Sequence, residues 1–381
     1  MKLTLEALQA NEGDCLLMHY ERPGTRPVRV LIDGGPRGVY KRVLRPRLDQ
    51  VRGDSRLDLR MVMVSHIDGD HISGVLDLLA DLERRQDDGE EPFCRIRTLW
   101  HNSFERLHGG RRAAAQSAVV GAALGGVTPP GLNATAAAVV ASVRQGAALR
   151  DAAERLNIPL NQGALDDLVR APATRLRRIA VAPGLTFTIL GPRDEQLLML
   201  DEEWQAAQER HPRNPRAQAA DYLNRTVPNL SSIVVLVEAA RGRSRPFRLL
   251  LTGDAGGDHI LESLDATKLG RGGRFHLDLL KVQHHGSNHS VTQDFFERVT
   301  ADRYVISGNG RHDIPHRDTF EWLSTARRGE RYELFMTNRS GSNGLTQTLT
   351  TFLTREARHE PKHEYHFRPE SSPSISVTLE G

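Results

Sequence analysis

Two cysteines in 381 residues, Cys15 and Cys94, are too few for a disulfide framework, and neither belongs to a CxxC pair. The chain is therefore expected in a reducing compartment, the cytosol, with both thiols buried. Runs of about 18 consecutive apolar residues are also missing, which excludes a membrane-spanning helix. The opening stretch, MKLTLEALQANEGD, holds no apolar segment long enough for a secretory leader, so a cytoplasmic protein without a membrane partner is expected. Charge of one sign is scarce: 51 basic against 48 acidic residues leave +3, so the overall balance implies no polyanionic partner. What remains, 39% hydrophobic and 26% charged, is the composition of an ordinary globular chain, long enough for a sizeable core in one domain or two.

The first 80 residues read as strands followed by a helix. KLTLEAL alternates, while CLLMHY and VRVLID are short apolar runs bounded by turn residues such as Asn11-Glu12-Gly13 and Gly34-Gly35-Pro36. Arg60–Ser65 predicts a strand buried on both faces. Ile72, Val75, Leu76, Leu79 and Leu82 then fall at helix spacing. From 185 the β pattern returns in LTFTIL, SSIVVLVE, PFRLLLTGD, LDLLKV and RYVIS. Ser290-x-x-Gln293 reads as a capping box, TFEWLSTA as a helix, and SISVTLE as a closing edge strand. No internal repeat is evident, but two strand-rich halves suit a two-sheet α/β sandwich.

Four polar clusters each follow an apolar strand. The densest is Ser65-His66-Ile67-Asp68-Gly69-Asp70-His71, with two imidazoles and two carboxylates in six positions at a strand-to-helix turn. Such ligands suit zinc, manganese or iron better than calcium; the alternative is a polar turn in which Asp68 or Asp70 caps the helix. Asp254 closes RLLLTGD, where a carboxylate can bridge two cations or simply end a turn. His284, His285 and His289 follow LDLLKV; one of the adjacent pair is expected to ligate while its neighbour orients it or meets substrate. Ser307-Gly308-Asn309-Gly310, with His312 and His316, follows RYVIS and suits close approach of a substrate or leaving group, or a plain turn. His359, His363 and His366 have metal-like spacing but lie among charges around Pro361 and read as a solvated tail.

HIDGDH resembles the HxHxDH signature of the metallo-β-lactamase superfamily. It is closer to the HxDxDH variant in the soluble hydrolase domains of bacterial DNA-uptake channel proteins. The similarity takes in GDCLLMHY…VLIDGG, LLLTGD, LKVQHHGS, YVISGNG and the Pro315-His316 step. It implies a single αββα sandwich over residues 1–381, with two divalent metals, zinc or manganese, at one edge. His66 and Asp68 would hold one metal; Asp70, His71 and His285 the other; Asp254 would bridge them, and Asp33 would support the site without ligating. Asp68 stands where the better-known signature has its second histidine, and His101 is a candidate by type for a further ligand.

Residues 108–180 differ from this frame. They are rich in Ala, Gly and Arg, carry Pro129-Pro130, and read as a mostly helical insertion, with helix expected over roughly 133–170. Between 101 and 180 ten Arg face five acidic residues, an excess that suits either an exposed cap or a basic lid over an anionic substrate. The expected reaction is hydrolysis by a metal-bridging hydroxide whose pKa is lowered towards about 7. Asp70 would orient that hydroxide, His284 or His316 would assist the leaving group, and Ser287, Asn309 and His312 would meet substrate. A phosphodiester, nucleic acid included, is the favoured substrate class. The alternatives are a carboxylester, thioester or lactone hydrolase and, in another class, a metal-stabilised interaction module without catalysis.

Overall fold

Short apolar stretches separated by Gly, Pro and Asn turns become strands in the computed structural model, which describes residues 1–102, 134–164, 167–172, 175–212 and 231–381. Among them, β1 (Lys2–Leu8), β2 (Leu16–Glu21), β3 (Val28–Ile32), β4 (Leu57–Met63), β5 (Cys94–Ile96) and β6 (Leu99–Trp100) form one mixed sheet together with β15 (Ser374–Glu380). The order is β15-β1-β2-β3-β4-β5, with β6 on the far end of β4. The second sheet holds β7 (Arg177–Ala182), β8 (Leu185–Gly191), β9 (Val234–Arg241), β10 (Ser244–Leu251), β11 (Phe275–Lys281), β12 (Val299–Ile306), β13 (Tyr332–Met336) and β14 (His363–Phe367), in the order 14-13-12-11-10-9-8-7. Each sheet is antiparallel on one side and parallel on the other: β3 runs parallel to β4, and β10 through β14 run parallel to one another.

Period-two side chains sort the core into layers. Leu3, Leu5, Met18, Val30, Met61 and Met63 of the first sheet meet Phe187, Val235, Val237, Leu249 and Leu279 of the second. The opposite face of the first sheet, with Leu17, Leu31, Leu59 and Val62, is covered by α1 (Arg45–Arg52), α2 (Gly69–Asp87) and α3 (Ala134–Arg155). Helix α4 (Asp194–Arg210) follows β8, and residues of α5 (Gly257–Ala266), α6 (Gln293–Arg298), α7 (Arg317–Ala326) and α8 (Leu345–His359) pack on the outer face of the second sheet. The class is mixed α/β. No described helix is long and apolar enough to cross a membrane, and both cysteines are buried free thiols.

Several local expectations shift. The buried stripe of α2 runs through Ile72, Val75, Leu78, Leu79 and Leu82, with Leu76 only partly covered at its flank. Thr292, not Ser290, caps α6, its hydroxyl accepting the Phe295 N–H at 3.2 Å. Of the Arg-rich segment, 103–133 lies outside the described residues. Helix α3 stops at Arg155, before Asn157 with its positive φ and Pro159; Leu149, Ala152 and Ala153 pack into the core beside α2, and Val169 and Ala171 reach the layer between the sheets.

The C-terminal segment is no solvated tail. His363 lies in β14 and is buried, with Nδ1 at 3.0 Å from Glu356 and Nε2 at 3.1 Å from the Arg327 carbonyl. His366 lies on the same strand, stacked on Phe335, while His359 is exposed at the end of α8. Threonine-rich α8 had a weak helical signal; Leu345, Leu349 and Phe352 hold it to the second sheet, and hydroxyls such as that of Thr350 bond back one turn.

Candidate metal centre

Parallel strands gather their C-terminal ends at one edge of each sheet, and both edges meet here. Asp33 follows β3, Ser65 and His66 follow β4, Asp254 follows β10, His284 and His285 follow β11, and Ser307 follows β12. The Ile233 N–H donates to the Ser65 carbonyl at 2.8 Å, joining the two sheets beside the centre, and the His284 N–H donates to the Gly253 carbonyl at 3.0 Å. Strand β2 is antiparallel to β3, so its beginning lies at this edge and brings in Asp14. Gly13 lets that loop approach: a Cβ there would sit 1.9 Å from the Asp70 carbonyl oxygen.

The six residues implied as ligands converge. His66 Nε2 is 3.7 Å from Asp68 Oδ2 and 3.6 Å from Asp254 Oδ2. His71 Nε2 is 3.6 Å from Asp70 Oδ2, 3.3 Å from Asp254 Oδ1 and 3.1 Å from His285 Nε2. His285 Nε2 lies 3.4 Å from Asp70 Oδ2 and 3.7 Å from Asp254 Oδ1, and His284 Nε2 lies 3.6 Å from Asp254 Oδ2. Both adjacent histidines thus face Asp254. They do so because His284 and His285 take left-handed backbone conformations in succession, φ 46° and 52°, which splay their rings to 6.2 Å. Such strain clusters where side chains must be aimed.

Hydrogen-bond directions fix what these nitrogens offer. Asp33 takes the Ser65 N–H and hydroxyl at 2.7 Å each and His71 Nδ1–H at 2.9 Å. Its proton spent on Asp33, the Ser65 hydroxyl accepts from His66 Nδ1–H at 3.1 Å. With Nδ1 donating in each, the neutral form of His66 or His71 carries its lone pair on Nε2, turned inward. Among the described residues His66 Nε2 and Asp254 Oδ1 are buried without a hydrogen-bond partner, a state that costs about 1–3 kcal/mol per group unless a ligand relieves it. Asp68 occupies the N-cap position of α2 without making a side-chain cap bond. The positive end of the helix dipole favours both Asp68 and Asp70 as anions.

Imidazoles and carboxylates packed this closely shift one another's protonation. Burial pushes Asp254 up, but the surrounding imidazoles, His71 foremost, hold its carboxyl well below the usual range. Asp70 is held at about 2 against its burial by His71 and His285. Asp68 moves the other way, raised by burial. Burial would lower His71 and His285, but Asp254 leads the carboxylates that outweigh it, lifting His71 well above the ordinary imidazole value and His285 to about 9. His284 is lowered by burial.

The remaining candidates stand around this centre. His316 Nδ1 accepts the Asn288 N–H at 3.2 Å, which leaves its Nε2 as the protonated nitrogen, and its ring lies 5.8 Å from that of His289. Ser287 is fully buried and accepts the His289 N–H, so it shapes the loop instead of meeting substrate. Asn309 accepts from the Arg311 N–H at 3.0 Å and also shapes a turn, while His312 is exposed at φ 58°. His101 is buried with its backbone held by Asn161, and its ring lies against Gly146 of α3 beside Ile67. Asp14 and Lys281 were not anticipated. Both are buried, and Asp14 groups with His71, Asp254 and His285 as a set able to hold a cation.

Neither a protein-family model nor a curated protein matches this chain. The donor set, inward-facing imidazole nitrogens with a buried carboxylate and two partly accessible ones, fits divalent cations such as zinc or manganese.

Proposed function

We propose that the chain is a dinuclear metal-dependent hydrolase, an αββα sandwich of the metallo-β-lactamase type, acting on phosphodiesters. One observation carries the reading: His66, Asp68, Asp70, His71, Asp254 and His285 meet within 4 Å steps of one another around two orphaned buried atoms, His66 Nε2 and Asp254 Oδ1. His66 and Asp68 would hold one cation, Asp70, His71 and His285 the other, with Asp254 between them. Two bound cations would supply Lewis acidity and a nucleophile derived from water at neutral pH.

The chain's own residues do the rest. Asp68 and Asp70 are the least covered of the six, their side chains 29% and 31% accessible, so substrate would reach the centre from their side. His284, kept neutral by burial and 24% accessible, sits beside Asp254 and is placed to take or return a proton at Nε2. His316, held below the ordinary imidazole value by burial and by His289, offers a neutral Nε2–H to a leaving oxygen. Phosphodiesters are favoured by the similarity of HIDGDH and LKVQHHGS to DNA-uptake hydrolase domains and by the arginine excess between 101 and 180.

Metal content and hydrolysis of bis(p-nitrophenyl) phosphate with added Mn²⁺ or Zn²⁺, wild type beside Asp254→Ala, test this directly. Near two metals per chain and turnover lost in the variant are expected. Metal uptake with turnover of acyl esters only would move the activity to carboxyl chemistry. Metal uptake with turnover of neither would leave a structural centre, and no uptake would end the proposal.

A further inference from the structure

Behind His285 lies a second buried assembly that a set of metal ligands does not account for. Lys281, the last residue of β11, and Asp14, just before β2, are each 1% accessible, with Nζ and Oδ2 2.8 Å apart. A buried ion pair is a poor stabiliser, and an apolar pair of similar volume commonly does as well. What distinguishes this pair is its neighbour. The Ser307 hydroxyl donates to Asp14 Oδ1, its oxygen lies 3.4 Å from His285 Nδ1, and Asp14 Oδ1, a second acceptor, lies 3.6 Å from the same nitrogen. Asp14 could be taken for a ligand, since one of its oxygens lies within 4.8 Å of ligand atoms of His71, Asp254 and His285. Both its oxygens are already engaged, however, one by Lys281 and one by Ser307.

The direction of this chain of bonds is forced. An ammonium can only donate, and an ionised carboxylate can only accept. The Ser307 proton must therefore go to Asp14, which leaves a Ser307 lone pair facing His285 Nδ1. That nitrogen then carries the hydrogen, and Nε2 turns its lone pair towards His71 and Asp254, 3.1 and 3.7 Å away. We propose that Lys281, Asp14 and Ser307 are positioning residues that lock His285 in the Nδ1–H tautomer and present its Nε2 to a divalent cation. The inference rests on the dinuclear reading above. It makes His285 the counterpart of His71, which Asp33 holds directly.

The test uses full-length protein with three variants. Ser307→Ala removes the relay and leaves the Asp14–Lys281 pair intact; Ser307→Thr keeps a hydroxyl; Lys281→Met removes the donor that sets the direction. Three quantities are read: Co²⁺ affinity and its visible absorption spectrum, the tautomer of His285 by long-range ¹H–¹⁵N correlation, and the melting temperature of metal-free protein. Ser307→Ala should weaken Co²⁺ binding roughly tenfold or more and mix the His285 tautomers, with Ser307→Thr restoring both. Lys281→Met should act in the same direction; should it fail to fold, the Ser307 pair decides. If Ser307→Ala lowers only the melting temperature, leaving Co²⁺ affinity, spectrum and tautomer as in the wild type, the positioning role is overturned while the dinuclear reading stands. A wild type that binds no Co²⁺, Zn²⁺ or Mn²⁺ overturns both.

Discussion

The Nε2 atoms of His71 and His285, 3.1 Å apart, leave room for one hydrogen between them and not two. Both imidazoles are lifted above the ordinary range against their burial, with Asp254 the leading cause and His285 brought to about 9. At neutral pH the pair thus shares one proton, which a cation taking both nitrogens must displace. Below about pH 9 the logarithm of the metal affinity should rise by about one per pH unit, so between about pH 6 and 8 binding tightens about a hundredfold, roughly 2.7 kcal/mol. Folding without metal runs the opposite way. A histidine whose folded pKa is raised contributes stability that is complete below its unfolded value of about 6.5 and is lost as pH rises through about 9. Melting curves of chelator-treated protein should therefore fall over the same window in which metal affinity climbs. Calorimetric titration with Zn²⁺ in two buffers of different ionisation enthalpy counts the released proton directly. A flat affinity over that pH range, with no proton released, would show that these paired nitrogens are not ligands.

Two further substitutions separate the centre from its frame. Gly13→Ala should cost about 1–3 kcal/mol in urea unfolding, because the new Cβ would lie 1.9 Å from the Asp70 carbonyl oxygen, and metal content should fall with it as Asp70 is pushed aside. His363→Ala should cost a similar about 1–3 kcal/mol by removing its buried contacts to Glu356 and the Arg327 carbonyl, although Ser324 and Tyr365 still hold the carboxylate, yet leave metal content unchanged, since His363 serves the β14 edge and not the centre.

The strands were legible because their apolar runs are short and sharply bounded, and the site was legible because its residues follow those runs. His66, Asp68, Asp70 and His71 stand together in sequence, and Asp254 and His285 each close an unmistakable apolar stretch. Asp14 escaped because that grammar looks only after strands. In an antiparallel neighbour such as β2 the functional edge receives the residue that comes before, and Gly13-Asp14 is the same signal reversed. Lys281 escaped because a lysine at a strand end reads as exposed, and its burial is explained by Asp14 from the facing sheet and by the Val282 carbonyl. Ser287 and Asn309 had the right chemistry at the right place, but their oxygens are consumed in holding turns. The C-terminal histidines were misjudged for a different reason. Strand β14 alternates charged and aromatic residues, so its inward side is marked by His363, Tyr365 and Phe367 and not by an aliphatic run.

His66, Asp68, Asp70 and His71 belong to the first sheet and its helix, while Asp254, His284 and His285 belong to the second. The apolar layer between the sheets is close-packed but non-directional, and beside the centre the Ile233–Ser65 hydrogen bond ties one sheet to the other. Cations held by both groups would act as a rivet at one margin of two stacked leaves, in a chain whose two cysteines are unpaired. Loading would then set the angle between the leaves as well as the chemistry at their edge. Whatever prises the leaves apart, a partner or a bulky substrate, would be felt as a change in the spacing of the two groups of side chains.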